Sequence, residues 1–411
     1  MQMRCEIYSP NSWQNLGLAR WLCVSALMLV AAAQAGEFQY TAAVLEQPEE
    51  AYSVVPFGIN AAGDVVGWVA ISGEPIRGCL WRAGHTDMII LPTPPGENGF
   101  YARDISDGRI IAGGYESGSA WTFSHGKYNF LGNLPGTGSA EAKGVNEFGD
   151  AVGTADPNAM LNFQAFYYDA ATDEIVQMAP YPSRGSDIND AGQATGYHGT
   201  TAFRYTLDGG LEDLGPLSFI YSFTVGSAIN QAGDVVGGAD DVTSDASRAF
   251  IYTDAEGMQE IPAIGIINQA WGLNDLGVVV GSSEQTGFAD QGWVWSAETG
   301  IQMLADIIDP SAHLGIISAT DINNDGQIIG YGTDLINYAA VAVRLTPTIP
   351  CEGDANGDGV IDPLDSGFVL ARFGCPVGGG DPNCDVADQN DDGSVDPLDV
   401  GFVLARFGQC Q

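Results

Sequence analysis

The chain has 411 residues, with 52 Asp and Glu against 14 Lys and Arg, a formal charge of -38. That balance argues against nucleic acid and anionic membrane surfaces, which need clustered cations, and favours cations and basic partners. With 45% hydrophobic residues and 55 glycines, the chain can bury a sizeable core and is rich in tight turns, unlike a disordered acidic tail.

Residues 1–35 read as an export signal. Arg20 precedes an apolar run, Trp21 to Ala33, and the small residues Ala33 and Ala35 suit cleavage after Ala35. The run is short against the ~20 residues that span a bilayer; a retained anchor is the alternative. The polar stretch before it is long for a signal and would fit translation starting later. A secreted or cell-surface protein is expected, with no membrane span once the signal is removed. Cysteine usage agrees. Cys5 and Cys23 lie in the leader, Cys79 sits in an apolar strand-like run and reads as a buried free thiol, and the other four flank the C-terminal segment, as in an oxidising compartment.

Residues 36–348 repeat one pattern: "GINAAGDVVG" at Gly58, "DISDGRIIAG" at Asp104, "GVNEFGDAVG" at Gly144, "DINDAGQATG" at Asp187, "AINQAGDVVG" at Ala228, "GLNDLGVVVG" at Gly272 and "DINNDGQIIG" at Asp321. The spacing falls in the ~40–50-residue range of propellers and solenoids. Each copy supplies four short strand candidates: one ending at the Ile-Asn pair, one at "DVVG" or its equivalent, an aromatic run and a short apolar run. Asn suits the first position of the turn and Gly the fourth, where φ is often positive. The seventh copy lacks its fourth strand, and "FQYTAAVLE" from Phe38 can supply it. The expectation is therefore mainly β: a seven-bladed β-propeller closed by its N-terminal strand, with an open β-solenoid as the alternative.

These units resemble the HAF family of bacterial extracellular repeats, in which an aromatic strand leads to an Ile-Asn-x-x-Gly hairpin and then Val-Val-Gly. The resemblance covers about three quarters of the chain. It implies fold rather than function, since propellers host enzymes, lectins and docking platforms alike.

Residues 349–411 form a separate segment containing a doubled phrase, "DANGDGVIDPLDSGFVLARFG" and "DQNDDGSVDPLDVGFVLARFG". Asp354, Asn356, Asp358, Asp362 and Asp365 occupy loop positions 1, 3, 5, 9 and 12, with the carbonyl of Val360 at 7. Asp388, Asn390, Asp392, Asp396 and Asp399 repeat them, with Ser394 at 7. A hard cation such as calcium takes six to eight oxygens, and this is the spacing at which a twelve-residue loop curls round one. Two calcium sites in a small α calcium-loop domain are expected. Pro363 and Pro397 suit the first turn of the helix that follows each loop. In each helix one apolar face, Leu364, Phe368 and Ala371 or Val369 and Phe373, is expected to bury against the twin repeat.

The tandem of loop and helix, with Asp at position 12 and no entering helix, resembles a type I dockerin. The resemblance implies docking onto a cohesin-like or cell-surface partner through Pro363, Leu364, Leu370 and Ala371, and through Pro397, Leu398, Leu404 and Ala405. The chain departs from the family there, being apolar where Ser or Thr and Lys-Arg are common, and its spacer is longer. Pseudo-symmetry pairs Cys375 with Cys384 and Cys351 with Cys410; pairing within each repeat is the alternative.

"DINNDGQIIGYG" at Asp321 lacks closing oxygens at positions 9 and 12 and reads as a turn. His85, His125, His198 and His313 show no zinc spacing, and His85 and His125 read as hairpin residues. Trp68, Trp81, Trp121, Trp271, Trp293 and Trp295 could stack on sugars but read chiefly as blade core. No catalytic residue is named. The expected function is a non-catalytic secreted binding or scaffold protein. The alternatives are a component of polysaccharide degradation, as a hydrolase of O-glycosyl bonds or a polysaccharide-binding propeller, and a purely structural envelope protein.

Overall fold

A computed structural model describes residues 40–94, 98–114, 118–134, 138–156, 163–241, 243–262, 264–284, 290–348, 355, 363–375, 377, 384, 387–389 and 393–404. The export signal lies outside them. The chain divides into two compact units, 1–346 and 347–411.

The first unit is built of four-stranded antiparallel meanders, seven among the described residues. Blade 1 holds β2 (Ala51–Ile59), β3 (Val65–Ile71), β4 (Arg77–Trp81) and β5 (Met88–Ile90); blade 2 holds β6 (Tyr101–Ile105), β7 (Ile111–Gly114), β8 (Ala120–Ser124) and β9 (Lys127–Gly132). Blade 3 holds β10 (Ser139–Val145), β11 (Ala151–Asp156), β12 (Gln164–Asp169) and β13 (Glu174–Gln177); blade 4 holds β14 (Ser183–Ile188), β15 (Ala194–His198), β16 (Thr201–Thr206) and β17 (Gly210–Gly215). Blade 5 holds β18 (Tyr221–Ile229), β19 (Val235–Asp241), β20 (Ser247–Thr253) and β21 (Gly257–Glu260); blade 6 holds β22 (Ile267–Leu273), β23 (Val279–Glu284), β24 (Gln291–Ser296) and β25 (Gly300–Met303). Blade 7 holds β26 (Leu314–Ile322), β27 (Ile328–Asp334) and β28 (Ala340–Pro347), and its outer strand is β1 (Tyr40–Leu45).

The N-terminal strand thus completes the last blade, and the ring is closed rather than an open solenoid. Arg344 of β28 pins the junction. Its Nη1 donates to the carbonyls of Gly63 and Arg82, and its Nη2 to that of His85, all in blade 1. Closure leaves no long sheet edge free, which is how an all-β ring avoids edge-to-edge association.

One local irregularity recurs in every blade and explains the sequence pattern. The register of each inner strand slips three residues before the Asn or Ser, between Pro56 and Gly58, Ala102 and Asp104, Ala142 and Gly144, Gly185 and Asp187, Gly226 and Ala228, Ala270 and Gly272, and Ala319 and Asp321. The residue left over by such a bulge is unpaired, and its side chain is re-aimed. The bulge also drives an inner-strand carbonyl against the second strand. A Cβ on Gly113 would lie 2.0 Å from the Tyr101 carbonyl oxygen, and one on Gly196 would lie 1.9 Å from that of Arg184. The glycine of the Val-Val-Gly step is therefore a steric requirement, and the space it leaves receives the aromatic residue paired across from it, Trp121 on Gly113 and Trp293 on Gly281.

The core lies between blades. Trp81 of blade 1 packs with Ile329 and Ala342 of blade 7, and Trp121 of blade 2 with Val66 and Leu80 of blade 1. Trp81, Trp121, Trp293, Phe166, Phe203 and Phe250 are fully buried, each worth several kcal/mol by order of magnitude. Cys79 is a buried free thiol whose pKa burial pushes up. His85 and His125 occupy turns between outer strands, the latter at φ 50°.

Among its described residues the second unit has the helices α1 (Pro363–Leu370) and α2 (Pro397–Leu404). Both start at the proline, as the missing N–H of that residue allows. Val369 and Val403 are fully buried and pack with Ala355, Ala387 and Val395. Neither expected face of α1 buries whole: Val369 is buried but Phe373 is 41% exposed, and Phe368 packs half-buried against the same core while Leu364 and Ala371 stay exposed. Cys375 is disulfide-bonded to Cys384. Cys351 and Cys410 lie outside the described residues, as does Ala405.

Candidate functional site

The inner strands of all the blades run toward one mouth of the central channel and end there in the repeated turn. The turn is the one the sequence implies. In blade 1 the Gly63 N–H donates to the Asn60 carbonyl at 2.9 Å, Gly63 has φ 85°, and the Asn60 side-chain oxygen accepts from the Asp64 N–H at 2.9 Å. "DISDGR" departs by one place: its fourth position is Arg109, held at φ 62°.

Each asparagine has a second role that the sequence alone does not reveal. Its Nδ2 donates to the main-chain carbonyl of the equivalent residue in the next blade: Asn146 to Asn189, Asn189 to Asn230, Asn230 to Asn274, Asn274 to Asn323, and Asn323 to Asn60. Asn60 donates in the same way to the Ser106 carbonyl at 3.3 Å. Ser106 has no amide to pass on, so the girdle has one gap. A second circle runs outside it, in which main-chain N–H groups such as those of Ala61 and Gln231 donate to side-chain oxygens of Asp107 and Asp275 in the following blade.

Three carboxylates lie just inside this girdle, two residues before the Asn or Ser. Asp104, Asp187 and Asp321 each accept one bond from the next residue in the chain, at 2.7–2.8 Å. The other oxygen of each accepts a main-chain N–H of the following blade, from Val145 at 2.8 Å, Ile229 at 2.9 Å and Ile59 at 3.0 Å. Each is an inter-blade staple. A small residue stands at the same position in the preceding blade, because a Cβ on Gly58 or Gly144 would come within 2.9 Å of the Cα of Asp104 or Asp187. Burial raises all three pKa values: that of Asp104 to about 6, that of Asp187 to about 7, and that of Asp321 well above the usual carboxylate range. Repulsion from Asp104 adds to the rise at Asp187 and Asp321. The mouth, of about 160 Å³, is lined by these groups. The Asp-Ile-Asn and Asp-Ile-Ser triplets of the sequence were the available signal for this trio. Asp321 belongs to it, while the "DINNDG" segment is a turn.

Of the tryptophans, Trp81, Trp121 and Trp293 are core. Trp271 is the leftover residue of the blade-6 bulge and is 43% exposed, its Nε1 donating to Ser282 Oγ.

In the second unit the residues expected as calcium ligands fall partly outside the described residues: Asp354, Asn356, Asp358, Val360 and Asp362 of the first loop, and Asn390 and Asp392 of the second. Asp365 lies fully buried in the first turn of α1. In the second loop Asp388 Oδ2 accepts the Gly393 N–H at 2.8 Å, so the first loop residue bends back onto the sixth. Both oxygens of Asp399 accept main-chain bonds at 2.8 Å, from Gln389 and Asp396, and Asp396 Oδ1 accepts from Leu398. Ser394 lies in the same loop. Among the described residues no three His, Cys, Asp or Glu side chains converge as a metal site. The expected docking residues Leu364, Leu370, Leu398 and Leu404 are 65%, 53%, 64% and 52% exposed. Pro363, Ala371 and Pro397 are exposed beside them.

No known sequence family matches the chain, and no curated protein matches it. Solved structures do. An oligogalacturonate lyase in complex with manganese is 11% identical at a TM-score of 0.53, over 74% of this chain and 93% of the lyase. The oligogalacturonate lyase of Vibrio parahaemolyticus is 10% identical at a TM-score of 0.50, over 74% and 93%. TolB from Acinetobacter baumannii is 14% identical at a TM-score of 0.43; the match covers 59% of this chain and 63% of TolB's length. No helix among the described residues is long and apolar enough to cross a membrane. At such identities the likeness to the lyases is one of fold, and the fold of the first unit is the β-propeller.

Proposed function

We propose that this is a secreted binding protein with two working parts: a HAF-type propeller that serves as a ligand-binding head, and a dockerin-like tail that binds two calcium ions and docks onto a cohesin-like or cell-surface protein. What carries the docking reading is the twinned exposure of Leu364 with Leu370 and Leu398 with Leu404, over a core shared by Val369 and Val403. Large exposed apolar side chains in matched pairs on so small a unit are the composition of an interface. The second loop supports the metal reading. Asp388 and Asp399 already bend the chain between positions 1, 6 and 12, and a divalent cation held in the loop would offset the repulsion among its carboxylates. Asp354, Asn356, Asp358, the Val360 carbonyl, Asp362 and Asp365 would hold the first ion. Asp388, Asn390, Asp392, the Ser394 carbonyl, Asp396 and Asp399 would hold the second.

Calorimetry of the full chain with calcium tests this reading. Two sites are expected, falling to one in Asp399→Asn. A flat trace sinks the metal assignment. Calcium-dependent capture by a cohesin module, lost in Leu364→Asp with Leu398→Asp, tests the docking face.

A further inference from the structure

Further back along the inner strands, a second cavity of about 260 Å³ opens among blades 2, 3 and 4. It is lined by Arg103, Lys143 and Arg184, three of only fourteen cationic side chains in a chain of charge -38. Their meeting has a structural cause. Arg103 and Lys143 are the leftover residues of the bulges in β6 and β10, and Arg184 comes from the inner strand of the next blade.

The cations are unequally satisfied. Arg103 Nε donates to Glu141 Oε1 at 2.6 Å, and its guanidinium lies 4.4 Å from the Phe57 ring centroid and 4.9 Å from that of Tyr101. The Arg184 guanidinium lies 3.7 Å over the Phe163 ring, yet its buried Nε has no hydrogen-bond partner among the described residues. Lys143 has neither an ion pair nor a hydrogen bond among the described residues; burial lowers its pKa, the nearby Glu141 carboxylate opposes the fall, and repulsion from Arg103 and Arg184 adds to it. Across the cavity on β11, Thr154 Oγ1 and Asp156 Oδ1 are also buried without partners among the described residues, and Thr154 is only 8% exposed. Each buried polar group left unmatched costs ~1–3 kcal/mol. Several around one cavity therefore describe what is missing from it.

The missing complement must accept from Arg184 and Lys143 and donate to Asp156. A fully deprotonated inorganic anion such as sulfate answers the cations but has no proton for Asp156 and is repelled by it. A neutral sugar answers Asp156 but leaves the cations unpaired. A molecule carrying both a carboxylate and hydroxyls answers all of them, and the cavity, just under the ~300 Å³ where drug-sized pockets begin, admits about one small ring. We propose that this cavity binds a sugar acid, its carboxylate against Arg184 and Lys143 and its hydroxyls against Asp156 and Thr154. The inference rests on the reading of the propeller as a binding head and is independent of the tail.

The test is calorimetry of the full chain with D-glucuronate, D-galacturonate, D-glucose and sulfate, each in calcium and again in EDTA. Saturable binding of at least one uronate is expected, at least tenfold tighter than glucose or sulfate and unchanged by EDTA, which separates it from any failure of the tail. Arg184→Met and Lys143→Gln, each checked for an unaltered circular-dichroism spectrum, should weaken uronate at least tenfold. Asp156→Asn should weaken uronate and admit sulfate. No binding of either uronate overturns the proposal, as does glucose or sulfate binding equally well, or two folded cation variants that bind normally. A tri-galacturonate arm separates the sources: tighter binding than the monomer assigns the site to a chain end of an acidic polysaccharide, and weaker binding assigns it to the free sugar acid.

Discussion

Asn323 Nδ2 donates to the carbonyl of Asn60 at 3.0 Å across 263 residues of chain, joining the last blade to the first. The same side chain accepts the Gln327 N–H at 2.9 Å through its other atom, so one residue both shapes its own turn and holds the next blade. Asn323→Ala should cost about 1–3 kcal/mol, since it removes these two bonds and the one its Nδ2 also donates to Gln327 Oε1, at a buried position. Asn323→Ser should cost roughly half, because Ser106 shows that a hydroxyl can keep the turn bond, at 3.2 Å to the Ile110 N–H, without the inter-blade one. Conversely, Ser106→Asn should close the gap and stabilise by ~0.5–1.5 kcal/mol. Denaturant unfolding of the three variants decides. Equal losses for Ala and Ser would mean that the turn bond contributes nothing, and no loss for Ser would mean that the inter-blade bond contributes nothing.

The aspartate trio predicts an unusual pH dependence. Folded pKa values near 6 for Asp104 and 7 for Asp187 lie above the ~4 of an unfolded chain. Their contribution to stability is therefore fully present below pH ~4 and is lost as pH rises through about 6 to 7. The propeller should melt at a lower temperature at pH 8 than at pH 5.5, once the tail is held in one calcium state. Asp187→Asn removes one titrating group and the repulsion it shares with Asp104 and Asp321, so its melting temperature should vary less over that interval. An unchanged slope in the variant would assign the dependence to other groups.

The fold was legible because its signals are local. The Asn-to-Gly turn, the alternation of short strands and the spare strand at Tyr40 each lie within a few residues of sequence, and together they favour a closed ring over an open solenoid. The inter-blade bonds were not legible, because Asn189 Nδ2 reaches Asn230 only once blade packing sets their separation. The cation cavity was less legible still. Arg103, Lys143 and Arg184 lie about one repeat apart, and nothing in a single strand says which residue the bulge will leave over. In the tail the spacing of Asp388, Asp396 and Asp399 was plain, and the bonds of Asp388 to Gly393 and of Asp399 to Gln389 follow it. Which helical face would bury was not, because α1 and α2 are apolar nearly all round and only their mutual packing selects Val369 and Val403.

The Cys375–Cys384 bridge closes a short loop between the two helical repeats. Chain entropy alone gives such a loop ~2.5–3 kcal/mol. Cys375→Ser with Cys384→Ser should therefore lower the calcium affinity of the tail by up to about a hundredfold if metal binding and folding are coupled, because the looser chain must be ordered when the ions bind. Calorimetry of the full chain checks this. Unaltered affinity would mean that the loops are organised without the bridge.

Gly367 and Gly401 sit in the middle of α1 and α2, exposed, where a Cβ would meet nothing within 4 Å. Glycine inside a helix costs ~0.5–1 kcal/mol relative to alanine, so helix formation alone does not account for these residues. Each stands three residues after an exposed leucine, Leu364 or Leu398, and three before another, Leu370 or Leu404. At that spacing they fall on the same side of the helix, as three residues make nearly one turn. A glycine there leaves the helix backbone open to close approach by another surface. Gly367→Ala with Gly401→Ala should accordingly raise the stability of the tail by ~1–2 kcal/mol, leave calcium binding intact, and weaken capture by a cohesin module by more than tenfold. A doubly substituted chain that is more stable and docks as before would show that the partner does not approach along these helix faces.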